Sequence, residues 1–381
     1  MDFSRLTNLM NDFHDRYHIP GVDIIVLQDH KEIYRYYTGY SDKEKQIPMK
    51  GTELNNLYSA SKIITVTAAM MLVEQGKLLL DDKLSDFIPE YANVGVHLAL
   101  PNSAVVEPAK NPILIKHLFT MTAGFNYLKT PVIEEVIERT GGKAPTLEVA
   151  KALASQPLDF EPGTRWQYSL CHDILVAVVE VVSGMKFRDF VQKYIFDPLE
   201  MKNSTYERTP EVEAKMMQQY RRTPEGEFVP IGRLTCDYVF GTEYDSGGAG
   251  AISSTEDYVK FIDALANDGV AANGYRLLSR SSIELMRQDF LDDVQYEDYK
   301  LQVRGSRDSG YGLGVRTNVD PADGMTLAPF GEFGWSGAAG DYAMIDPENR
   351  IALFYTQHVL DTSVPIKMSK RITNVFYACL D

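Results

Sequence analysis

Ser59-Ala60-Ser61-Lys62 stands directly before an apolar run from Ile63 to Val73. On a helix, a serine three residues ahead of a lysine places hydroxyl and amine on one face, about one turn apart. A neutral lysine can take a serine proton, so this spacing lets a serine attack a carbonyl without a histidine. The helix that follows is apolar on nearly all sides and is therefore buried. Its N-terminal end offers unpaired N–H groups and a dipole that favours the negative charge of an alkoxide. The alternative is that Ser59 is a plain N-cap. A second copy of the spacing, Ser183-Gly184-Met185-Lys186, follows the apolar run Ile174 to Val182 and reads as a helix end.

Two further stretches carry chemistry. In Glu161-Pro162-Gly163-Thr164-Arg165-Trp166-Gln167-Tyr168-Ser169-Leu170, a Pro-Gly turn leads to a tyrosine just before a helix from about His172 to Ser183. A tyrosine near a lysine can pass a proton in both directions; the alternative is a tyrosine that only packs. Tyr91-Ala92-Asn93 matches a Tyr-x-Asn pattern but sits in a linker-like stretch and reads as a decoy. The third stretch, Gly334-Trp335-Ser336-Gly337-Ala338-Ala339-Gly340, precedes a strand. Small residues let backbone approach a ligand, and one oxyanion donor there contributes about 3–4 kcal/mol of barrier lowering. The stretch is one residue short of a G-x-S-x-G elbow, and an elbow needs a helix after it. His358 also follows too closely to complete an α/β-hydrolase triad. His172 reads as a helix N-terminal residue.

The elements that must position these groups fall at both ends of the chain. Leu6, Leu9, Met10, Phe13 and Tyr17 recur at helical spacing, which predicts an amphipathic helix over 2–18, broken by Pro20-Gly21. Val22 to Leu27 and Glu32 to Thr38 read as one hairpin; Tyr342 to Ile345 and Ile351 to Thr356 read as another. A last helix carries Ile372, Val375, Phe376 and Cys379 on one face. Strands from both ends can share one antiparallel sheet covered by the terminal helices. The expected organisation is an α/β fold with a first part over 1–65, a mainly helical insertion over 66–290, and a second α/β part over 291–381.

Composition narrows the class. The 381 residues are 44% hydrophobic with a net charge of −15. That chain folds around a sizeable core and repels phosphate backbones and anionic membranes, so neither nucleic acid nor a membrane is an expected partner. No apolar stretch approaches the roughly 20 residues of a membrane span, and Met1-Asp2-Phe3-Ser4-Arg5 does not read as a signal peptide. The three scattered cysteines, Cys171, Cys236 and Cys379, offer no zinc spacing and fit a reducing cytoplasm.

Taken together, the motifs resemble the serine β-lactamase and penicillin-binding-protein superfamily in its class C-like branch. The resemblance runs over nearly the whole chain. It includes Tyr58 to Lys62, Pro112 to Phe125, Phe160 to Thr164, Ser246 to Gly250 and Gly334 to Pro347. It is closest to the carboxylesterases and acyltransferases of that branch, and it implies a β-lactamase/transpeptidase-like fold. By position, the resemblance makes Ser59 the nucleophile, Lys62 its base partner and Tyr168 the second proton-transfer residue. It makes the backbone N–H groups of Ser59 and Ala338 the oxyanion hole. No metal or cofactor is implied.

The departures from the pattern bear on substrate. Lactamases of this branch carry Tyr-x-Asn where this chain has Tyr168-Ser169-Leu170, and Lys-Thr-Gly where it has Trp335-Ser336-Gly337. The missing amide and cation would have held a β-lactam or peptide; each such loss costs about 2–3 kcal/mol, or one to two decades. Leu170, Trp335, Ser336 and Gly337 are thus expected to shape a site for a small neutral ester. The alternatives are a β-lactamase or DD-peptidase, and an acyl-binding sensor that acylates and stalls. Tyr58 is unusual, since relatives carry a small residue before the serine. The oligomeric state is open.

Overall fold

The computed structural model describes residues 1–97, 105–303, 309–320, 326–360 and 364–380. Helix α1 (Ser4–Asp15) buries Leu6, Met10 and Phe13, a narrower span than 2–18. The chain then turns at His18 (φ 57°) and enters β1 (Gly21–Gln28) and β2 (Lys31–Asp42). The two residues between them, Asp29 and His30, have φ of 48° and 65°. Two positive φ values in a two-residue loop match the right-handed twist of a hairpin. A short β3 (Ile47–Pro48) edges β2. Helix α2 (Ser61–Glu74) is buried from Ser61 to Leu72, as its all-round apolar sequence requires. It packs against α3 (Cys171–Ser183). Helix α4 (Thr255–Ala266) starts at the Ser254 hydroxyl, which accepts the Asp257 N–H. The chain returns through β4 (Ser309–Tyr311), β5 (Arg316–Asn318), β6 (Phe333–Ser336), β7 (Tyr342–Asp346) and β8 (Ile351–Thr356). It ends in α5 (Val364–Tyr377).

Strands from both ends meet in one eight-stranded sheet, ordered β4-β5-β6-β7-β8-β1-β2-β3, with antiparallel pairing throughout. The two ends join where β1 pairs with β8, in register Ile24↔Tyr355 and Val26↔Leu353. Side chains alternate across a strand, and both faces here are covered. Val22, Ile24, Val26, Met344, Leu353 and Tyr355 pack under α1 and α5 with Phe13, Ile372 and Phe376. Ile25, Ala343, Ile345, Ala352 and Phe354 face the larger core, where α4 lies on the sheet and the Tyr258 and Phe354 rings are 4.4 Å apart. That two-sided burial is why β7 and β8 read as apolar runs rather than alternations. Among the described residues no helix is long and apolar enough to cross a membrane, and Cys171, Cys236 and Cys379 are all buried.

The strand that carries Trp335 is anchored by a buried ion pair. Arg316 of β5 donates to both oxygens of Glu332 at 2.7 Å, while Glu332 is 2% exposed. Burial pushes the Glu332 carboxyl up and the Arg316 charge pulls it back. Arg316→Met strands that carboxylate in the interior, at a cost of about 3–5 kcal/mol. Urea unfolding should register it as a lowered midpoint, and Glu332→Gln in the same chain should recover part of the loss.

Candidate active site

The strand pair Leu54–Asn56 and Ile252–Ser254 delivers the chain to a single 3-10 turn, Tyr58–Ala60, which runs straight into α2. Tyr58 makes the corner with φ 44°, a left-handed conformation that costs a non-glycine residue about 1–3 kcal/mol and persists only where its surroundings impose it. The surroundings are on hand. The Tyr58 hydroxyl donates to Gln219 Oε1 at 2.7 Å, with Thr235 O at 3.0 Å, and its ring is buried against Cys236, Ala249, Ala339 and Leu360. Tyr58 is thus a packed and tethered corner immediately before the serine.

Ser59 caps nothing: the N-cap of α2 is Ala60, with no side-chain capping bond. Its Oγ instead accepts from Lys62 Nζ at 3.2 Å and from Tyr168 Oη at 2.6 Å. Lys62 is 0% exposed. Its Nζ also donates to Gly248 O at 2.8 Å and to Tyr127 Oη at 3.3 Å, so the three donors of an ammonium meet three acceptors. The same Nζ lies 4.5 Å from the Tyr168 ring centroid and 5.4 Å from that of Tyr127, both within cation–π range. Asp173 of α3 is close behind. Burial pushes its carboxyl up, while Lys62 is among the groups that pull it down. Gly248 must be glycine, because a Cβ there would sit 2.6 Å from Tyr127 Oη and 2.9 Å from Asp173 Oδ2.

Tyr168 is held by a loop stitched at several points. Gln167 N donates to Met121 O at 3.0 Å and Leu170 N to Asn126 O at 3.1 Å. Tyr168 N donates to Gln302 Oε1 at 3.1 Å, and Arg165 Nε to Asp298 Oδ2 at 2.6 Å. The ring stacks between Tyr127 (centroids 5.4 Å, 14°) and Trp335 (5.9 Å, 25°), and Trp335 Nε1 donates to Tyr168 Oη at 3.2 Å. The phenol oxygen therefore faces the serine and an indole N–H together.

Strand β6 packs against the turn Tyr58–Ala60 and ends in a tight reversal. Gly337 N donates to Asp341 O at 2.9 Å and Gly340 N to Gly337 O at 3.0 Å, with Gly340 at φ 94°. A Cβ on Gly337 would collide with Leu57 O and Asp341 Oδ2. Ser336 and Ala338 are exposed, whereas Trp335 and Gly337 are buried. Among the described residues neither the Ser59 nor the Ala338 N–H donates to a backbone carbonyl outside its own element.

The structure thus gathers Ser59, Lys62, Tyr168, Trp335, Ser336, Gly337 and Ala338 around one place. It does not bring Leu170 there: that side chain is 2% exposed and belongs to the main core, because the residue is the N-cap of α3 and turns inward. The decoys are structural. Ser183 ends α3 at a left-handed Gly184 (φ 69°), and Lys186 pairs with Glu243. Tyr91 donates to Ala150 O at 2.6 Å. His172 is buried, held by Phe119 O, and pushed down to about 3 by burial and by Lys62. His358 accepts from the Asn56 backbone N–H and contacts Met217 O, and burial pushes it down to about 3 as well. Sequence reasoning missed Tyr127 as a partner of Lys62. The only local signal was its place two residues after Phe125, at the end of the Pro112-to-Phe125 stretch.

A sequence model of the Beta-lactamase family matches residues 6–368. Protein Rv1367c of Mycobacterium tuberculosis is 30% identical over 357 residues, covering 91% of this chain and 88% of its own. Esterase EstB of Burkholderia gladioli is 28% identical over 352 residues, covering 86% and 83%. Among solved structures, EstCE1, described as a hydrolase with promiscuous acyltransferase activity, superposes with a TM-score of 0.80 at 25% identity, covering 98% of this chain and 97% of its own.

Proposed function

The chain belongs to the Beta-lactamase family, and from that premise we propose that it is a serine carboxylesterase that cleaves small neutral esters through an acyl-Ser59 intermediate. One observation carries the reading: Ser59 Oγ lies 2.6 Å from Tyr168 Oη and 3.2 Å from Lys62 Nζ, with no histidine in the cluster. Esterases and a hydrolase with acyltransferase activity among its relatives support the same chemistry.

In the proposed cycle the Tyr168–Lys62 pair starts one proton short of phenol plus ammonium, so that it can take the Ser59 proton as Ser59 Oγ bonds to the ester carbonyl carbon. The Ser59 and Ala338 N–H groups hold the oxyanion. The C–O bond to the alcohol then breaks, and the leaving oxygen takes the proton back from Tyr168. Water, or a second alcohol, repeats the sequence and frees Ser59. No step calls on a cofactor or metal.

Substrate class follows from what surrounds the serine. Lys62 Nζ is already engaged by three acceptors, and an indole stands where β-lactamases of the resembling branch hold a cation. A substrate carboxylate gains nothing from either. The test is a panel of p-nitrophenyl acetate, butyrate and octanoate run beside nitrocefin. The short neutral esters are expected to exceed nitrocefin in kcat/KM by about 100-fold or more, the worth of a lost charged partner. Comparable turnover of nitrocefin would return the enzyme to the β-lactamases, and a persistent acyl adduct by intact mass with no turnover would make it a sensor. As the esterase reading has it, the expected partner is a small-molecule ester, and the expected compartment the cytoplasm.

A further inference from the structure

Asp341 stands between the two turns that would form the oxyanion hole, and it is chemically out of place. It is 1% exposed. Its Oδ1 accepts the Thr356 hydroxyl at 2.5 Å, while its Oδ2 is buried with no hydrogen-bond partner among the described residues. A Cβ on Gly337 would sit 2.4 Å from this Oδ2 and 2.5 Å from Leu57 O, so the bare oxygen and the Leu57 carbonyl border the same point of backbone. Leu57 O in turn accepts the Ala60 N–H at 3.0 Å, the bond that closes the turn bearing Ser59.

The groups facing Asp341 are Thr356 and Tyr355 of β8 and Tyr258 of α4. The two phenols are committed elsewhere: Tyr258 donates to Ala60 O at 2.8 Å and Tyr355 to Gln357 Oε1 at 3.0 Å. No ion pair reaches Asp341 among the described residues, and no cation opposes its burial, which pushes the carboxyl up to about 8. A buried carboxylate with one hydrogen bond and no cation is costly, whereas a carboxylic acid brings an O–H donor to a place that the Leu57 carbonyl oxygen borders.

We propose that Asp341 is a positioning residue kept as a neutral carboxylic acid, its Oδ2 hydroxyl donating towards Leu57 O and tying the Gly337–Gly340 turn to the turn that carries Ser59. Ionisation converts the donor into a second acceptor facing a carbonyl, which drives the two turns apart and spoils the alignment of the Ser59 and Ala338 N–H groups. The effect on catalysis rests on the esterase reading above; the protonation of Asp341 does not.

Asp341→Asn separates the two. Its amide oxygen can keep the Thr356 bond and its NH2 replaces the acid proton, at any pH. Turnover of p-nitrophenyl butyrate by the variant should stay within about threefold of the parent at pH 6.5. Between pH 7 and 9.5 the parent should lose roughly thirtyfold more kcat than the variant, since its neutral fraction falls through a pKa near 8. Thermal unfolding gives an independent readout. The folded chain holds a proton that the unfolded chain releases above about pH 4, so the Asp341 contribution is full below that pH. It is lost as pH climbs to about 8 and is level beyond. The parent Tm should therefore fall relative to the variant across pH 5–8. Parallel Tm curves, a shared alkaline limb, or a variant that fails to fold or work at pH 6.5 would overturn the proposal. If the parent hydrolyses no ester while the Tm curves diverge, the esterase reading falls and the neutral acid stands.

Discussion

Ser59→Ala is expected to lower kcat for p-nitrophenyl butyrate by at least about 10⁴-fold and to end covalent labelling by a fluorophosphonate probe, because the atom that forms the acyl bond is gone. No neighbouring hydroxyl can stand in. Ser61 Oγ is fully buried and accepts the Ala251 N–H at 3.1 Å. Ser336 is exposed at the end of β6, and neither Lys62 nor Tyr168 is among its hydrogen-bond partners. The fold should tolerate the change, since Lys62 keeps Gly248 O and Tyr127 Oη and one lost hydrogen bond is worth about 1 kcal/mol. Activity that survived Ser59→Ala and vanished in Ser336→Ala would move the nucleophile to the other turn.

Tyr168→Phe should cost roughly 10³-fold in kcat, in the range of a positioned general acid–base group, with KM little changed. The substitution removes one atom from a stacked ring: Trp335 and Tyr127 still sandwich it. What goes is the Oη that contacts Ser59 at 2.6 Å and accepts from Trp335 Nε1 at 3.2 Å. Fluorophosphonate labelling should slow rather than stop, because Ser59 and Lys62 remain. A rate within tenfold of the parent would make Tyr168 a packing residue and leave proton transfer to Lys62 alone.

Much of this arrangement was legible because it is local. The Ser59–Lys62 spacing needs only one helical turn, and the two end hairpins need only alternation and turn residues, such as Asp29-His30 with its paired positive φ values. The terminal helices announced themselves by a single apolar stripe each. Residues that depend on distant partners did not. Tyr127 joins Lys62 across 65 positions; Leu170, two residues after Tyr168 in sequence, turns into the core instead. Tyr58 looked out of place until Gln219 and Thr235 supplied its partners. Helix α4, read with the helical middle, lies on the sheet.

By itself the sequence determined the placement of Ser59 one turn from Lys62, the strands and helices of the two ends, and the family resemblance, all from patterns within a few residues where periodicity constrains direction. Only the tertiary structure decided which tyrosines meet the lysine, that Leu170 turns into the core, and that Asp341 lies buried without a cation between the turns that carry Ser59 and Ala338. Those facts depend on loop closures of tens to hundreds of residues, and burial and charge state are properties of the packed whole, which no local pattern encodes.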